Sequence, residues 1–411
     1  MANPIRIADP ELSSLLRSED CRQRDSLCLI ASENHASPAI RLAMASKIGN
    51  RYSEGYPGKR FYEGQAVVDQ IEELAIQRAK SLFGAQHANV QPYSGSPANL
   101  AVYAALLQPG DTILSMDLAA GGHLTHGSPA SVTGKWFHAV HYAADPRTGA
   151  IDGAELERLA LAHRPKMIIA GYSAWPRQLD WKVFRKAADL VGARLVVDMA
   201  HFAGLVAGGV VESPVPVADV VTSTTHKTLR GPRGGLILCK RELAGAIDRA
   251  VFPAIQGGPH DHATAAKAIC FREAATAEFS DYARRVVENS RALAKALAQR
   301  GLPLVTGGTD NHLMLVDLRP TGLHGKLVAE ALDRSGIVCN ANKIPGDPRP
   351  AATPSGIRLG TAAVTTRGLG VEQMEQLAGW IVCVVERPDD RALLSRVMGE
   401  VRALARQFPV P

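Results

Sequence analysis

The residue of most chemical interest in this 411-residue sequence is Lys227, which stands in the hydroxyl-rich turn Thr222-Ser-Thr-Thr-His-Lys-Thr-Leu-Arg230, just past an apolar run. An amine in a partly dry site loses its proton more readily, becomes nucleophilic, and can form a Schiff base with an aldehyde. Taken alone, Lys227 reads more readily as an ordinary solvated lysine, which is the commoner case. A carboxylate stands 29 positions earlier, at Asp198 in Val196-Val-Asp-Met-Ala-His201. One strand–helix–strand unit takes about 30 residues, so the two side chains can end neighbouring strands. That pair suits pyridoxal phosphate, which needs an amine on its aldehyde and an acid on its pyridinium nitrogen for the ring to act as an electron sink. A helix-capping aspartate explains Asp198 by itself but not its pairing with Lys227.

These two residues need a frame. From about residue 85 to 240, short apolar runs alternate with helical patterns, as in strand–helix–strand units around a mostly parallel sheet. The spacing predicts strands over 88–91, 112–115, 166–171, 194–197, 217–222 and 235–238, with helices over 96–107, 153–162 and 181–191. Beyond 276 the pattern changes to a long helix over 280–300, a strand over 313–318, a helix over 325–335 and a closing helix over 371–385. A large α/β unit of residues 1–276 with an N-terminal arm is therefore expected, followed by a smaller α+β unit of residues 277–411.

In open parallel sheets the chemistry gathers beyond the carboxyl ends of the strands. That rule selects Ser94-Gly95-Ser96, Gly121-Gly122-His123, Ser173, Asp198 with His201, and His226-Lys227. Tyr93-Ser-Gly-Ser-Pro-Ala-Asn99 leads from strand to helix, where free backbone N–H groups and the helix dipole favour a phosphate. Beside Asp198 and Lys227, Ser94, Gly95 and Ser96 read as a phosphate cup.

Composition narrows the class. Hydrophobic residues make up 46% and charged residues 21%, as in an ordinary folded protein. The formal charge of +6 is small for the length and forms no basic run, which argues against nucleic-acid and membrane partners. Cys21, Cys28, Cys239, Cys270, Cys339 and Cys383 are scattered without a Cys-x-x-Cys pair, offering neither a disulfide framework nor a zinc site. No metal site is expected. The opening residues lack the apolar core of a secretory signal, and no apolar run approaches the roughly 18 residues of a membrane span. A cytoplasmic protein is expected.

Several segments fall in a recognisable order: Leu29-Ile-Ala-Ser-Glu-Asn34, Tyr52-Ser-Glu-Gly-Tyr-Pro-Gly-Lys-Arg60, Gly121-Gly-His-Leu-Thr-His-Gly127, Val197-Asp-Met-Ala-His201 and Thr224-Thr-His-Lys-Thr228. Gln256-Gly-Gly-Pro259, Gly307-Gly-Thr-Asp-Asn-His312 and Ser355-Gly-Ile-Arg358 continue the series over nearly the whole chain. Together they resemble the motifs of the serine hydroxymethyltransferase family. The resemblance implies fold type I of the pyridoxal-phosphate enzymes, with a seven-stranded type of sheet, and a homodimer whose active sites lie at the subunit boundary, with pairing into tetramers left open. It also implies reversible transfer of the serine hydroxymethyl group to tetrahydrofolate, giving glycine and 5,10-methylenetetrahydrofolate.

By the same resemblance, Lys227 holds pyridoxal 5′-phosphate covalently, Asp198 meets its pyridine nitrogen, and His123 stacks on its ring. Ser173 and His201 lie near the phenolic oxygen, Ser94, Gly95 and Ser96 hold the phosphate, and Thr224 and His226 join the cofactor contacts; packing is the alternative for His226. Tyr52, Gly257 and Gly258 reach that phosphate from the neighbouring subunit, which also brings Glu54 for proton transfer and Tyr62 beside the substrate hydroxyl. Arg358, with Ser32, takes the substrate carboxylate. Leu118, Gly122, Leu124, Phe252 and Asn342 form the folate pocket.

The departures from the family pattern cluster on the substrate and folate side. Phe61 stands where tyrosine is usual, Glu63 where glycine is common, Tyr93 where histidine is frequent and Pro97 where glutamine is frequent, while Ala341 and Lys343 alter an Asn-Lys-Asn type loop. Glu63 is the sharpest change, since an added carboxylate near the pocket must be solvated, paired or functional. A 2-methylserine (D-alanine) hydroxymethyltransferase or an enzyme of the threonine-aldolase or transaldolase type would keep every cofactor residue. A non-catalytic partner protein would be expected to lose Lys227, Glu54 or Arg358, and all three are present. An aminotransferase fits poorly with the segments around Glu54 and His123.

Overall fold

The computed structural model describes Ile5 and residues 8–411. Residues 1–4, 6 and 7, part of the stretch without a secretory apolar run, lie outside that description. Seven strands make the central sheet: β1 (His87–Asn89), β2 (Thr112–Met116), β3 (His138–Tyr142), β4 (Met167–Gly171), β5 (Arg194–Asp198), β6 (Val220–Thr224) and β7 (Gly235–Cys239), in the order β1-β7-β6-β5-β4-β2-β3. β7 runs antiparallel to both neighbours, and every other pairing is parallel. β4, β6 and β7 are buried at every position, which is why they read as unbroken apolar or small-residue runs.

Two strands depart from expectation for physical reasons. β3, His-Ala-Val-His-Tyr, is half polar because it lies at the sheet edge with one neighbour and little full burial, so no apolar run announces it. β6 starts after Asp219, not at 217: the Asp219 carboxylate accepts from the Leu195 N–H and pairs with Arg185 and Lys240, ending the apparent run.

Helices α1 (Ala66–Phe83), α2 (Gly95–Leu106), α3 (Gly153–His163), α4 (Trp181–Val191) and α5 (Asp261–Ala274) accompany this sheet. α4 shows how the sequence sets their ends: the Asp180 carboxylate accepts from the Lys182 N–H at the start, and Gly192 takes the left-handed conformation that closes the helix.

α6 (Ala277–Gln299) crosses between two hydrophobic cores, with Phe279, Tyr282 and Val286 in the first and Leu293 and Leu297 in the second. The second core lies among α7 (Gly325–Arg334), α8 (Val371–Glu386) and an antiparallel sheet of β8 (Leu313–Asp317), β9 (Asn340–Asn342) and β10 (Gly356–Gly360), in the order β8-β10-β9. The chain does not close with α8; α9 (Arg391–Gln407) follows and buries Leu393, Val397 and Val401 there. Leu27 and Leu29 also belong to this core, and Leu27–Cys28 pairs in parallel with Ile337–Val338. Among the described residues, no helix is long and apolar enough to cross a membrane.

Candidate active site

The site begins with the parallel register of β4, β5 and β6. Asp198 is the last residue of β5, opposite Gly171 on β4 and Thr222 on β6, and Lys227 lies three positions beyond the end of β6. Gly171 has φ +122°, and a Cβ there would stand 2.2 Å from the Asp198 carbonyl oxygen, so glycine is what lets the two strand ends close up. At the mouth lies a cleft of about 380 Å³. Its walls include Ser32, Ser94, Gly95, Ser96, His123, Ser173, Asp198, His201, Thr224, His226, Lys227 and Arg358. These are all the positions that the family resemblance implies for one chain's cofactor and substrate-carboxylate contacts.

Charge is arranged tightly around this cleft. Asp198 Oδ2 accepts from Asn99 Nδ2 at 2.9 Å and pairs with His126 Nε2 at 3.1 Å, while Oδ1 accepts from the Ala200 N–H at 3.0 Å. Burial works against its charge, but the His126 and Asn99 bonds and the adjacent imidazoles hold the carboxyl below its usual range. Lys227 is 9% exposed. Burial pulls its amine down to about 8, against an upward pull from Asp198, with Arg358 and Arg233 adding to the fall. His123 and His226 are brought down to about 4 and about 3, chiefly by burial, and His201 falls well below its ordinary value for the same reason. These three rings are neutral at pH 7.

Arg358 comes from β10, donating from Nη1 to the Ser173 carbonyl at 2.6 Å and from Nε to Asn340 Oδ1 at 3.0 Å. Burial lowers it to about 10, and it stays cationic. Among the described residues, no carboxylate forms an ion pair with Arg358 or Lys227. A buried amine and a half-buried guanidinium facing a cleft without paired acids favour an anionic ligand.

A second cluster stands apart from that cleft. Tyr62 Oη donates to Glu54 Oε2 at 3.0 Å, and the Tyr52 and Tyr62 rings meet edge to face at 5.9 Å. Gly257 lies against Glu54 and Tyr52, and Gly258 packs on the Tyr52 ring. Tyr52 and Tyr62 are 60% and 46% exposed. None of these five residues lines the cleft of its own chain.

Comparison with known proteins now decides the family. The family model for serine hydroxymethyltransferase matches residues 5–381. A Sorangium cellulosum protein named serine hydroxymethyltransferase is 57% identical over 403 residues, covering 98% of this chain and 95% of that protein. Its namesake from Desulfotalea psychrophila shows the same identity and coverage, and that from Acidothermus cellulolyticus is 54% identical over 413 residues, covering 99% and 97%.

The chain belongs to the serine hydroxymethyltransferase family.

Its architecture is accordingly fold type I, a mostly parallel seven-stranded sheet followed by a smaller, largely helical region. Against the serine hydroxymethyltransferase pattern, the structure adds residues that sequence reading passed over. His126 and Asn99 grip Asp198, Asn340 steadies Arg358, and Arg233 and Glu33 line the cleft. A signal was present for two of them, since His126 lies in the same Gly-rich segment as His123 and Asn99 ends the phosphate-cup segment. His123, His126 and Asp198 bring metal-ligand types of atom within 4.8 Å of one another. Their atoms are engaged in hydrogen bonds, His126 Nε2 with Asp198 and His123 Nδ1 with Thr125 Oγ1 at 2.7 Å.

The folate positions are spread differently. Leu118 and Leu124 are exposed, Gly122 is buried against Met116, and Phe252 meets Phe61 in the second cluster at 5.7 Å between rings. Asn342 donates to the Lys343 carbonyl. None of the five lines the Lys227 cleft.

Proposed function

We propose that this enzyme transfers the serine hydroxymethyl group reversibly to tetrahydrofolate, giving glycine and 5,10-methylenetetrahydrofolate, with pyridoxal 5′-phosphate in the Lys227 cleft. The observation that carries the reading is the meeting, in one cleft, of a buried amine held near 8, a carboxylate fixed by three donors, and a guanidinium that pairs with no acid among the described residues. The residues fit the cofactor. α2 starts at Gly95, and the Ser94 side chain before it makes no capping bond to its first N–H groups, which leaves them open to a phosphate. A Cβ at Gly95 would come 2.8 Å from Thr224 Cγ2, so that seat needs glycine.

In this reading Lys227 holds the cofactor covalently, Asp198 faces the pyridine nitrogen, His123 lies on the ring, and Ser173 and His201 flank the phenolic oxygen. Ser94, Gly95 and Ser96 take the phosphate, with Thr224 and His226 beside them. Pyridoxal phosphate, when bound, supplies the sink for the electron pair released as the Cα–Cβ bond of the amino acid breaks. Arg358 and Ser32 grip the substrate carboxylate, and the partial burial of the guanidinium limits competition from water. Burial also leaves Lys227 able to give up and regain a proton near neutrality. Residues 1–276 would carry the cofactor and residues 277–411 would supply Arg358.

The second cluster then serves the cleft of another copy. Glu54 would hold or take up a proton at Oε2 with Tyr62 as its hydrogen-bond partner, and Tyr52 and the Gly257-Gly258 backbone would approach the phosphate from across the interface. The exposed Tyr52, Phe61, Tyr62 and Val67 supply apolar surface for that contact. Leu118, Gly122, Leu124, Phe252 and Asn342 would receive the folate. A homodimer, its further pairing into a tetramer, small-molecule substrates and cytoplasmic residence belong to the same reading.

The test has two parts. Glycine added to the cofactor-loaded protein should produce a long-wavelength absorption band that tetrahydrofolate strengthens; a response to D-alanine alone, or indifference to folate, overturns the reading. Mixing inactive Lys227→Ala and Glu54→Gln chains should restore activity, because one mixed site regains both residues.

A further inference from the structure

The two clusters are joined inside each chain by residues 91–93, directly before the phosphate cup. Gln91 Nε2 donates to the Gly55 carbonyl at 2.9 Å and to Glu72 Oε1 at 2.8 Å. Glu72 Oε2 in turn accepts from Arg60 Nη2 at 2.7 Å, and Arg60 Nη1 donates to the Ser53 and Gly55 carbonyls on either side of Glu54. Gln256 grips the opposite edge, with Nε2 donating to the Gln91 carbonyl at 2.9 Å and Oε1 accepting from the Tyr93 N–H at 3.2 Å. Tyr93 then reaches across, its hydroxyl donating to the Gly258 carbonyl at 2.7 Å and its ring stacking on His260 at 4.2 Å. Gly258 packs on Tyr52. The next residue after Tyr93 is Ser94, the cup itself.

Polar links of this kind, buried at Gln91 and half-buried at Tyr93, are costly to leave half made, so the loops they join tend to hold or release one another together. We propose that Tyr93 is a positioning residue that ties the phosphate cup of one cleft to the Gly257-Gly258 loop serving the neighbouring cleft, so that the two sites of a dimer fill with cofactor cooperatively. The proposal rests on the shared-site reading above. A phosphate in the cup orders residues 94–96; the Tyr93 hydroxyl passes that order to Gly258, and Gly258 reaches the phosphate of the other site. A coupling between sites must act in both directions, and this link is the same in each chain.

The experiment titrates cofactor-free dimer, wild type and Tyr93→Phe, with pyridoxal phosphate and separately with unphosphorylated pyridoxal, following absorbance. For wild type and pyridoxal phosphate, the Hill coefficient should lie clearly above 1 and at most about 2, the ceiling set by two sites. In Tyr93→Phe it should fall to about 1, with affinity weakened roughly fivefold, the scale of one hydrogen bond. Pyridoxal should bind both proteins alike and without cooperativity. A non-cooperative wild type, coincident isotherms for the two proteins, or equal weakening of pyridoxal and its phosphate would each overturn the proposal. Failure of the shared-site reading shows separately, as a monomeric wild type or a Lys227→Ala and Glu54→Gln mixture that stays inactive. A complementing dimer with coincident isotherms defeats this inference alone.

Discussion

The Lys227 cleft and the Glu54 cluster handle polar chemistry in opposite ways. In the cleft, Lys227, Asp198 and His201 are buried and His123 half-buried, all are displaced from their ordinary protonation ranges, and Asp198 is held by Asn99, His126 and the Ala200 N–H. In the cluster, Tyr52 and Tyr62 face solvent, and Glu54 has one side-chain hydrogen-bond partner among the described residues, Tyr62. The first is preorganised by its own fold; the second lacks the dry surroundings that would make a proton carrier effective. An enzyme can therefore be electrostatically prepared on one surface and still wait for another to be covered.

The strongest way to break this contrast is Lys227→Ala, which should lower activity roughly 10⁴-fold or more, the scale for loss of a covalent nucleophile, and abolish borohydride-fixable cofactor. If Lys227 were only a packing residue, cofactor would still be fixed. Glu54→Gln should lower kcat by about 10²- to 10⁴-fold, the range for general acid–base groups. Its cofactor content should stay at the wild-type level, so equal loss of cofactor in both variants would erase the distinction between the regions. Arg358→Lys keeps the charge but removes the fork and should raise KM for the amino acid by roughly 10- to 100-fold, as expected when a charged hydrogen bond worth about 1.5–3 kcal/mol is lost. A change confined to kcat would move Arg358 out of substrate binding.

The finest test is pH. The amine pulled down to about 8 attacks only when unprotonated, so capture of pyridoxal phosphate by cofactor-free protein should rise with pH through about 8 and level off above it. Asp198 supports the ammonium form, so Asp198→Asn should move that midpoint downward. An upward move would mean that Asp198 does not act on Lys227 through its charge.

Much of the cleft was legible because its residues sit where apolar runs end. The 29-residue spacing of Asp198 and Lys227 is the signature of adjacent parallel strands, and β5 and β6 are adjacent. What could not be read was whatever depends on distant partners or on an edge. His126 and Asn99 find their purpose in Asp198, 72 and 99 positions away. β3 is hidden by its own polarity, and α9 follows a helix that already looked terminal. The link through Tyr93 was visible only as an unusual residue type, because its partners lie in a loop more than 160 positions further on.

The strand pair formed by Leu27–Cys28 and Ile337–Val338 has a consequence for biosynthesis. Its two halves are 310 positions apart in the chain, and Ser32 stands four positions after Cys28 in the first of them. On the ribosome, the segment that carries Ser32 must remain unpaired until most of the protein has been made, long after the central sheet has its strands. The proposed grip of Ser32 on the substrate is thus among the last features to assemble, and a nascent chain stalled before residue 337 lacks it.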